Sequence, residues 1–369
     1  MTATTAMTTI PVPLGDDRSY DIYVGPAALA QLETIATGYR RIAVVTQPPI
    51  AQHWLDEVAG YLADGGAEVQ VHTMGAHEAD KNLRTVEQLS EAMAEGGILR
   101  GDAVVALGGG VVGDTAGFVA AVYARGIDVV QVGTTLLAQV DSAIGGKTAV
   151  NVPQGKNLVG AFHQPVSVIS DSRTLGTLDQ REFSAGLGEV AKYASLDGSP
   201  GSRPLEALLT EHAELIAQRD PDLLSQVVAR CSAIKARVVS EDEFERTGLR
   251  ATLNFGHTFA HALESLTNYR YLHGEAVAVG IVFASAVAED LQRVPGGTTD
   301  RYRTLLMRLG LPIECDTPLS REQCLTVMRR DKKSVGGITM VLDGPSGVEL
   351  VHDPAAASLA KGFDAVHVG

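Results

Sequence analysis

Residues able to bind a metal, an anion or a proton recur at helical spacing late in the chain. Arg250, Asn254, His257 and His261 stand at i, i+4, i+7 and i+11. At 3.6 residues per turn they occupy one narrow stripe, provided the segment is continuously helical. Gly256 challenges that condition, and Asn254 lying just ahead of the helix is the other option. A polar stripe on an otherwise apolar helix faces water or a site, and two imidazoles with a guanidinium favour a site. His257-Thr-Phe-Ala-His261 lacks the glutamate of a zinc-protease HExxH, which disfavours peptide hydrolysis. A third imidazole, His273, opens His273-Gly-Glu275, and Glu189 and Lys192 share a face in Gly188-Glu-Val-Ala-Lys192. Two imidazoles and a carboxylate make a zinc set with positions left for substrate oxygens.

Glycine-rich stretches carry the other candidates. Gly108-Gly-Gly-Val-Val-Gly-Asp114 follows an apolar run and opens a helical one. Such glycines let backbone N–H groups approach a phosphate at a helix N-terminus. A plain tight turn uses the same residues, and the pattern is not GxGxxG. Asp141-Ser-Ala-Ile-Gly-Gly-Lys147-Thr148 and Gly155-Lys156-Asn157 set two lysines and an acid in Gly-rich, apolar surroundings, with solvated loop lysines as the competing reading. Lys235 projects from an apolar helical stripe marked by Val228, Cys231 and Val238. There it either snorkels to the edge or reaches a desolvated anion.

These residues need a scaffold. Strand-like runs at Arg41–Thr46, Glu68–His72, Ala103–Leu107 and Val129–Val132 alternate with helical spacing at Trp54–Leu62 and Asn82–Met93. Strands alternating with helices predict a parallel sheet covered on both faces. Ile10–Val24, broken at Gly15-Asp16-Asp17, reads as an edge hairpin. After about Leu175 helical periodicity dominates, at Leu205–Ile216, Leu223–Val239, Phe255–Leu266, Ala276–Leu291 and Tyr302–Leu309, with one late strand at Ile338–Leu342. Gly198–Pro204 reads as a loop within this half. The expectation is α/β plus α: a Rossmann-like α/β domain over residues 1–174 and a mostly helical domain over 175–369.

Composition sets outer bounds. The chain has 369 residues, and 30 Lys and Arg against 44 Asp and Glu give a formal charge of −14. That field opposes non-specific binding to nucleic acid or an anionic membrane. An anionic small substrate then needs positive charge concentrated locally. Three scattered cysteines read as a reduced compartment without a disulfide framework. Met1–Met7 has no signal-peptide character, and the longest apolar run, Ala276–Ala288, is too short to span a membrane. The expectation is a soluble, cytoplasmic protein.

Taken together, the segments resemble the 3-dehydroquinate synthases of the sugar phosphate cyclase family. The resemblance runs from about Glu78 to Leu342. Glu78-Ala-Asp-Lys81, Gly108–Asp114, Tyr123-Ala-Arg-Gly126, Thr134–Thr148 and Gly155–Phe162 carry it in the first half. Gly188–Lys192, Gly248-Leu-Arg250, Asn254–His261, His273-Gly-Glu275 and Asp331-Lys-Lys333 continue it. Gly133 stands where many members have proline. The Asp242–Arg250 segment is one residue longer than in some relatives, which leaves the role of Glu245 open.

The resemblance implies that 3-deoxy-D-arabino-heptulosonate 7-phosphate becomes 3-dehydroquinate and phosphate, in the shikimate route to aromatic amino acids. It implies catalytic NAD and a divalent metal, zinc ahead of cobalt. By matching positions, Glu189, His257 and His273 are the metal ligands. Glu78, Lys81, Gly109, Gly110, Val111, Asp114, Thr134, Thr135, Leu137, Thr174, Thr177 and Leu178 are the dinucleotide contacts. Asp141, Lys147, Lys156, Asn157, Lys192, Lys235, Arg250, Asn254, His261 and one of Lys332 and Lys333 form the substrate pocket. Arg125 is the family arginine that reaches a neighbouring subunit's phosphate site, which implies a homodimer. Transient oxidation acidifies a C–H beside the new ketone, phosphate leaves, the hydride returns, and an aldol step closes the carbocycle. Sister cyclases acting on an amino analogue or on sedoheptulose 7-phosphate are the first rival. A metal-dependent polyol dehydrogenase has no need of so many lysines, and a non-catalytic dinucleotide-binding module would have lost a ligand or pocket lysine.

Overall fold

The structure is a computed structural model that describes residues 7–15, 18–198, 202–329 and 337–369. The proposed turn at Asp16-Asp17, part of the 198–204 loop, most of the N-terminal segment, and Lys332 with Lys333 lie outside the described residues. Two compact units emerge: Met1–Asp179 with Pro221–Phe244, and Gln180–Asp220 with Glu245–Gly369.

The first unit is built on strands β1 (Thr8–Val12), β2 (Tyr20–Val24), β3 (Arg41–Thr46), β4 (Glu68–Thr73), β5 (Ala103–Gly108), β6 (Asp128–Gly133), β7 (Lys147–Val152), β8 (Gly155–Phe162) and β9 (Ser167–Ser170). Seven of them form one sheet in the order β1-β2-β9-β6-β5-β3-β4. Only β1 and β2 run antiparallel in it, so the Ile10–Val24 hairpin is the sheet edge. All six residues of β5 are buried, because helices cover both faces. Alternate side chains go opposite ways. Val104 and Ala106 join Val86, Leu89 and Met93 of α3 (Leu83–Glu95) and Val112, Ala116 and Val119 of α4 (Gly110–Val122). Val105 and Leu107 join Leu32 of α1 (Gln31–Ala36) and Val58 and Leu62 of α2 (Pro48–Asp64). Each such valine, leucine or methionine contributes roughly 1.5–3 kcal/mol on burial.

The chain steps outward from β3 to β4, then returns past β3 to β5. That reversal makes the carboxyl ends of β3 and β5 a topological switch point, where open α/β sheets bind ligands. Gly108-Gly109-Gly110 stands there. Lys147 and Lys156 lie on β-structure rather than in loops, because β7 and β8 pair as a separate antiparallel hairpin. The flanking glycines hide this in the sequence.

The second unit holds α5 (Gln180–Leu196), α6 (Pro204–Ala217), α8 (His257–Leu266), α9 (His273–Asp290), α10 (Thr298–Arg308), α11 (Arg321–Met328), α12 (Ala356–Ala365) and an antiparallel pair, β10 (Thr339–Gly344) and β11 (Gly347–His352). The expected helices at 205–216, 255–266, 276–291 and 302–309 correspond to α6, α8, α9 and α10. Helix α7 (Pro221–Glu241) counts with the first unit, although it follows the expected boundary at 174/175. Phe259 stacks on Phe283 at 4.6 Å, and Phe283 meets the Phe363 edge at 5.0 Å. Arg203 makes a buried fork to Asp343 at 2.6 and 2.9 Å. No helix among the described residues is long and apolar enough to cross a membrane.

Candidate active site

Glu189 lies on α5, His257 is the first residue of α8 and His273 the first of α9. One ligand atom from each falls within 4.8 Å of the others. A glycine adjoins each residue, and the glycines let backbones touch. A Cβ at Gly188 would lie 2.0 Å from the Gly274 carbonyl oxygen, and one at Gly274 would lie 1.7 Å from that of Ala185. One at Gly280 would lie 2.0 Å from the Gly256 carbonyl oxygen. The three helices therefore meet at backbone contact, which fixes where the ligands start.

Both Glu189 oxygens are buried, and neither accepts a hydrogen bond of good geometry. A lysine and two imidazoles face them instead: Lys192 Nζ is 2.5 Å from Oε2, and Nε2 of His257 and of His273 lie 3.4 and 3.2 Å from Oε1. Burial raises the Glu189 carboxyl, but Lys192 and the imidazoles outweigh it and hold it well below the usual range. Burial pushes His257 down. Burial opposes protonation of His273 too, yet Glu189 and Glu264 push it up to about 10. Nδ1 of His257 faces the Phe255 carbonyl at 3.2 Å, and Nδ1 of His273 faces Glu264 Oε1 at 3.4 Å. A proton on each Nδ1 leaves the Nε2 lone pairs for a cation. Two imidazole nitrogens and an otherwise unsatisfied buried carboxylate fit a divalent metal such as zinc or cobalt.

The four-residue stripe is not continuous. Arg250–Asn254 forms a separate 3₁₀ segment, and Gly256, at φ +81°, caps α8. Only His257 and His261 share a helix, with ring centroids 5.5 Å apart. Arg250 is buried, Asn254 Nδ2 donates to the Ala251 carbonyl at 2.9 Å, and His261 is exposed.

In the first unit, Lys81 is buried and pairs with Asp114 near the start of α4. Burial raises the Asp114 carboxyl, against the pull of Lys81. Gly109 caps α4, and a Cβ there would lie 2.8 Å from Thr135 Cγ2. Thr134 and Thr174 are buried, Gly110, Val111, Leu137 and Leu178 are half-buried, and Thr177 Oγ1 accepts from Trp54 Nε1 at 3.0 Å. Asp141 sits in a π-helical turn (Ala138–Ser142) and is bound by Lys235 of α7, whose Nζ also donates to the Asp141 carbonyl at 2.8 Å. Lys235 thus reaches an acid instead of snorkelling. Lys147 pairs with Phe162 in the hairpin. Lys156 lies about 20 Å from that end along β8, at ~3.3 Å per residue.

The N-terminal model of 3-dehydroquinate synthase matches residues 71–185, and the C-terminal model matches residues 186–334. The chain belongs to the 3-dehydroquinate synthase family. A 3-dehydroquinate synthase from Picosynechococcus is 42% identical over 353 residues, covering 94% of this chain and 96% of that protein. A solved 2-deoxy-scyllo-inosose synthase, complexed with carbaglucose-6-phosphate, NAD⁺ and Co²⁺, superposes with a TM-score of 0.85 at 27% identity, covering 97% and 99% of the two chains. A 2-epi-5-epi-valiolone synthase from Streptomyces hygroscopicus, with NAD⁺ and Zn²⁺ bound, gives 0.84 at 28% identity, covering 96% and 99%. The family is one of enzymes, and its fold joins an α/β sheet domain to a mostly helical one.

Two residues of the synthase chain escape sequence reasoning. Glu264 faces the far nitrogen of His273, a role invisible without the turn between α8 and α9. Asn151 joins the Glu78–Lys81 segment to the β7–β8 hairpin. Its one signal is an asparagine inside a β-branched run, where asparagine is depleted.

Proposed function

We propose that this chain converts 3-deoxy-D-arabino-heptulosonate 7-phosphate to 3-dehydroquinate and phosphate, using NAD catalytically and a divalent metal held by Glu189, His257 and His273. The observation that carries this reading is the tripod of two imidazoles around a buried carboxylate that accepts no hydrogen bond of good geometry, in a chain 42% identical to a curated synthase. When bound, NAD supplies a reversible hydride acceptor and the metal a Lewis acid toward a substrate hydroxyl.

The chain's own residues bind and orient. Arg250, with a planar fork, suits the substrate carboxylate, and Lys147, Lys156 and one of Lys332 and Lys333 suit different anionic or hydroxyl groups of the substrate as point charges. Lys192 pairs with Glu189 and offers a donor to a substrate oxygen. Asn157 and Asn254 offer amides, and His261 is the exposed imidazole for proton exchange. Lys235 and Asp141 hold each other at the π-helical turn. Glu78, Lys81, Gly109, Gly110, Val111, Asp114, Thr134, Thr135, Leu137, Thr174, Thr177 and Leu178 form the dinucleotide side. Arg125 is exposed on a left-handed run, Ala124, Arg125 and Gly126 at φ +49°, +70° and +114°. It serves a partner subunit's phosphate site in a homodimer. A cytoplasmic location belongs to the same reading, supported by three buried free cysteines.

The test incubates pure protein with NAD⁺, zinc and the heptulosonate phosphate, and follows phosphate, dehydroquinate and NADH. Equal phosphate and dehydroquinate without NADH accumulation is expected. NADH rising in step with product would make the protein a dehydrogenase. Silence with this substrate and turnover of sedoheptulose 7-phosphate or the amino analogue would make it a sister cyclase.

A further inference from the structure

Asn151 sits where the β7–β8 ladder shifts register, between Val150 and Val152. A residue released from its ladder can bond elsewhere, and Asn151 does so with its backbone N–H and both ends of its side-chain amide. Its backbone N–H donates to the Lys81 carbonyl at 2.9 Å, and it forms a parallel bridge with Asn82. Its side-chain Nδ2 donates to Glu78 Oε1 at 2.8 Å and to the Glu78 carbonyl at 3.2 Å. Its Oδ1 accepts from the Asn157 backbone N–H at 2.9 Å, where Asn157 holds φ at +53°. One amide therefore faces two ways, with its donor on Glu78 and its acceptor on the turn that carries Lys156 and Asn157.

We propose that Asn151 is a positioning residue that holds the Glu78 carboxylate and the Lys156–Asn157 turn at a fixed spacing, coupling dinucleotide binding to anion binding. The proposal rests on the reading of Glu78 as a dinucleotide contact and of Lys156 and Asn157 as substrate contacts. Only an amide supplies both functions in this geometry. A carboxylate keeps the acceptor toward Asn157 but sets a second negative charge against Glu78. An aliphatic side chain loses both.

The two arms separate by substitution. Asn151→Asp is expected to weaken NAD⁺ binding about tenfold, the scale of one hydrogen bond to a charged group, with KM for the sugar phosphate within about twofold. Asn151→Leu is expected to raise both by about tenfold. Adding Glu78→Gln to Asn151→Asp reverses the donor and acceptor and should bind NAD⁺ more tightly than Asn151→Asp alone. Glu78→Gln by itself closes the double-mutant cycle. Zinc affinity, read by chelator competition, should stay unchanged throughout. Should Asn151→Leu fail to fold, the aspartate variants carry the test. Asn151→Asp shifting both constants equally or neither, or no recovery in the double variant, overturns the proposal. A wild-type protein that binds no NAD⁺ overturns the functional reading first, and the coupling with it.

Discussion

Three helices bring Glu189, His257 and His273 together at backbone contact, whereas the sheet unit holds Lys81, Asp114, Asp141 and Lys235 through side-chain ion pairs. The two constructions tolerate error differently. Backbone against backbone leaves no rotamer to adjust, so donor spacing is set by the fold. A lysine on a flexible stem can follow its acid through several tenths of an ångström. A metal demands the first, because its ligands must converge on one point at fixed bond lengths. Anion and dinucleotide contacts manage with the second, because charge acts over longer distances.

Removing a ligand should have the largest effect. His257→Ala is expected to lower turnover about a thousandfold or more, the scale of a lost Lewis acid, and to abolish stoichiometric zinc uptake while circular dichroism stays native. Glu189→Gln should also destabilise the metal-free protein, because it removes a charged partner of the buried Lys192. Urea unfolding after chelation checks this, and unchanged stability would mean that Lys192 finds another acceptor.

The comparison itself is tested by two glycines. Gly188→Ala drives a methyl into the Gly274 carbonyl, and Gly109→Ala drives one toward the side-chain methyl of Thr135 rather than toward backbone. The first should cost about 3 kcal/mol and the second about 1 kcal/mol. Zinc affinity should fall in the first variant and NAD⁺ affinity in the second. Equal costs would erase the distinction between a backbone frame and an adjustable one. A smaller effect belongs to Glu264→Gln, which weakens the partner of His273 Nδ1. Zinc affinity should drop 10- to 100-fold in a protein that melts as before.

Much of this division is legible in the chain. The β-branched runs at 41–46, 103–107 and 129–132 become β3, β5 and β6, since central parallel strands are apolar throughout. The histidines at 257, 261 and 273 read as a cluster because imidazoles are rare in apolar helices. The stripe through Arg250 misled, because helical spacing continues through a glycine in sequence but not in backbone: Gly256 at φ +81° ends one segment and starts another. The β7–β8 hairpin was hidden by glycines that read as loop. The α7 helix carries the same amphipathic pattern as its neighbours, and nothing in such a pattern tells which core it will cover. The glycine pairs at 188/274 and 256/280 join residues far apart in sequence, so only the packed helices reveal them.

Acid should weaken both units, whereas alkali should weaken the metal-free tripod. His72, on the sheet's edge strand, lines a cavity of about 370 Å³ with Met74, Asp80 and Leu89, and its Nε2 is buried without a hydrogen-bond partner. Burial lowers its pKa below 6.5. The unfolded chain therefore takes a proton first as pH falls, and stability intact above 6.5 is lost below it. His257 shifts the same way, so both units lose stability in acid. His273 has the opposite sign. Burial opposes its proton, but Glu189 and Glu264 raise it from 6.5 to about 10 in the metal-free protein. Its contribution is complete below 6.5 and is lost as pH rises toward 10. Urea unfolding of metal-free protein between pH 7 and 9 should thus show falling stability. His72→Leu should leave that slope intact and reduce the acid one, whereas zinc loading should remove the alkaline slope, since a ligating imidazole has already given up its proton. An alkaline slope that survives zinc would place the titrating group outside the tripod.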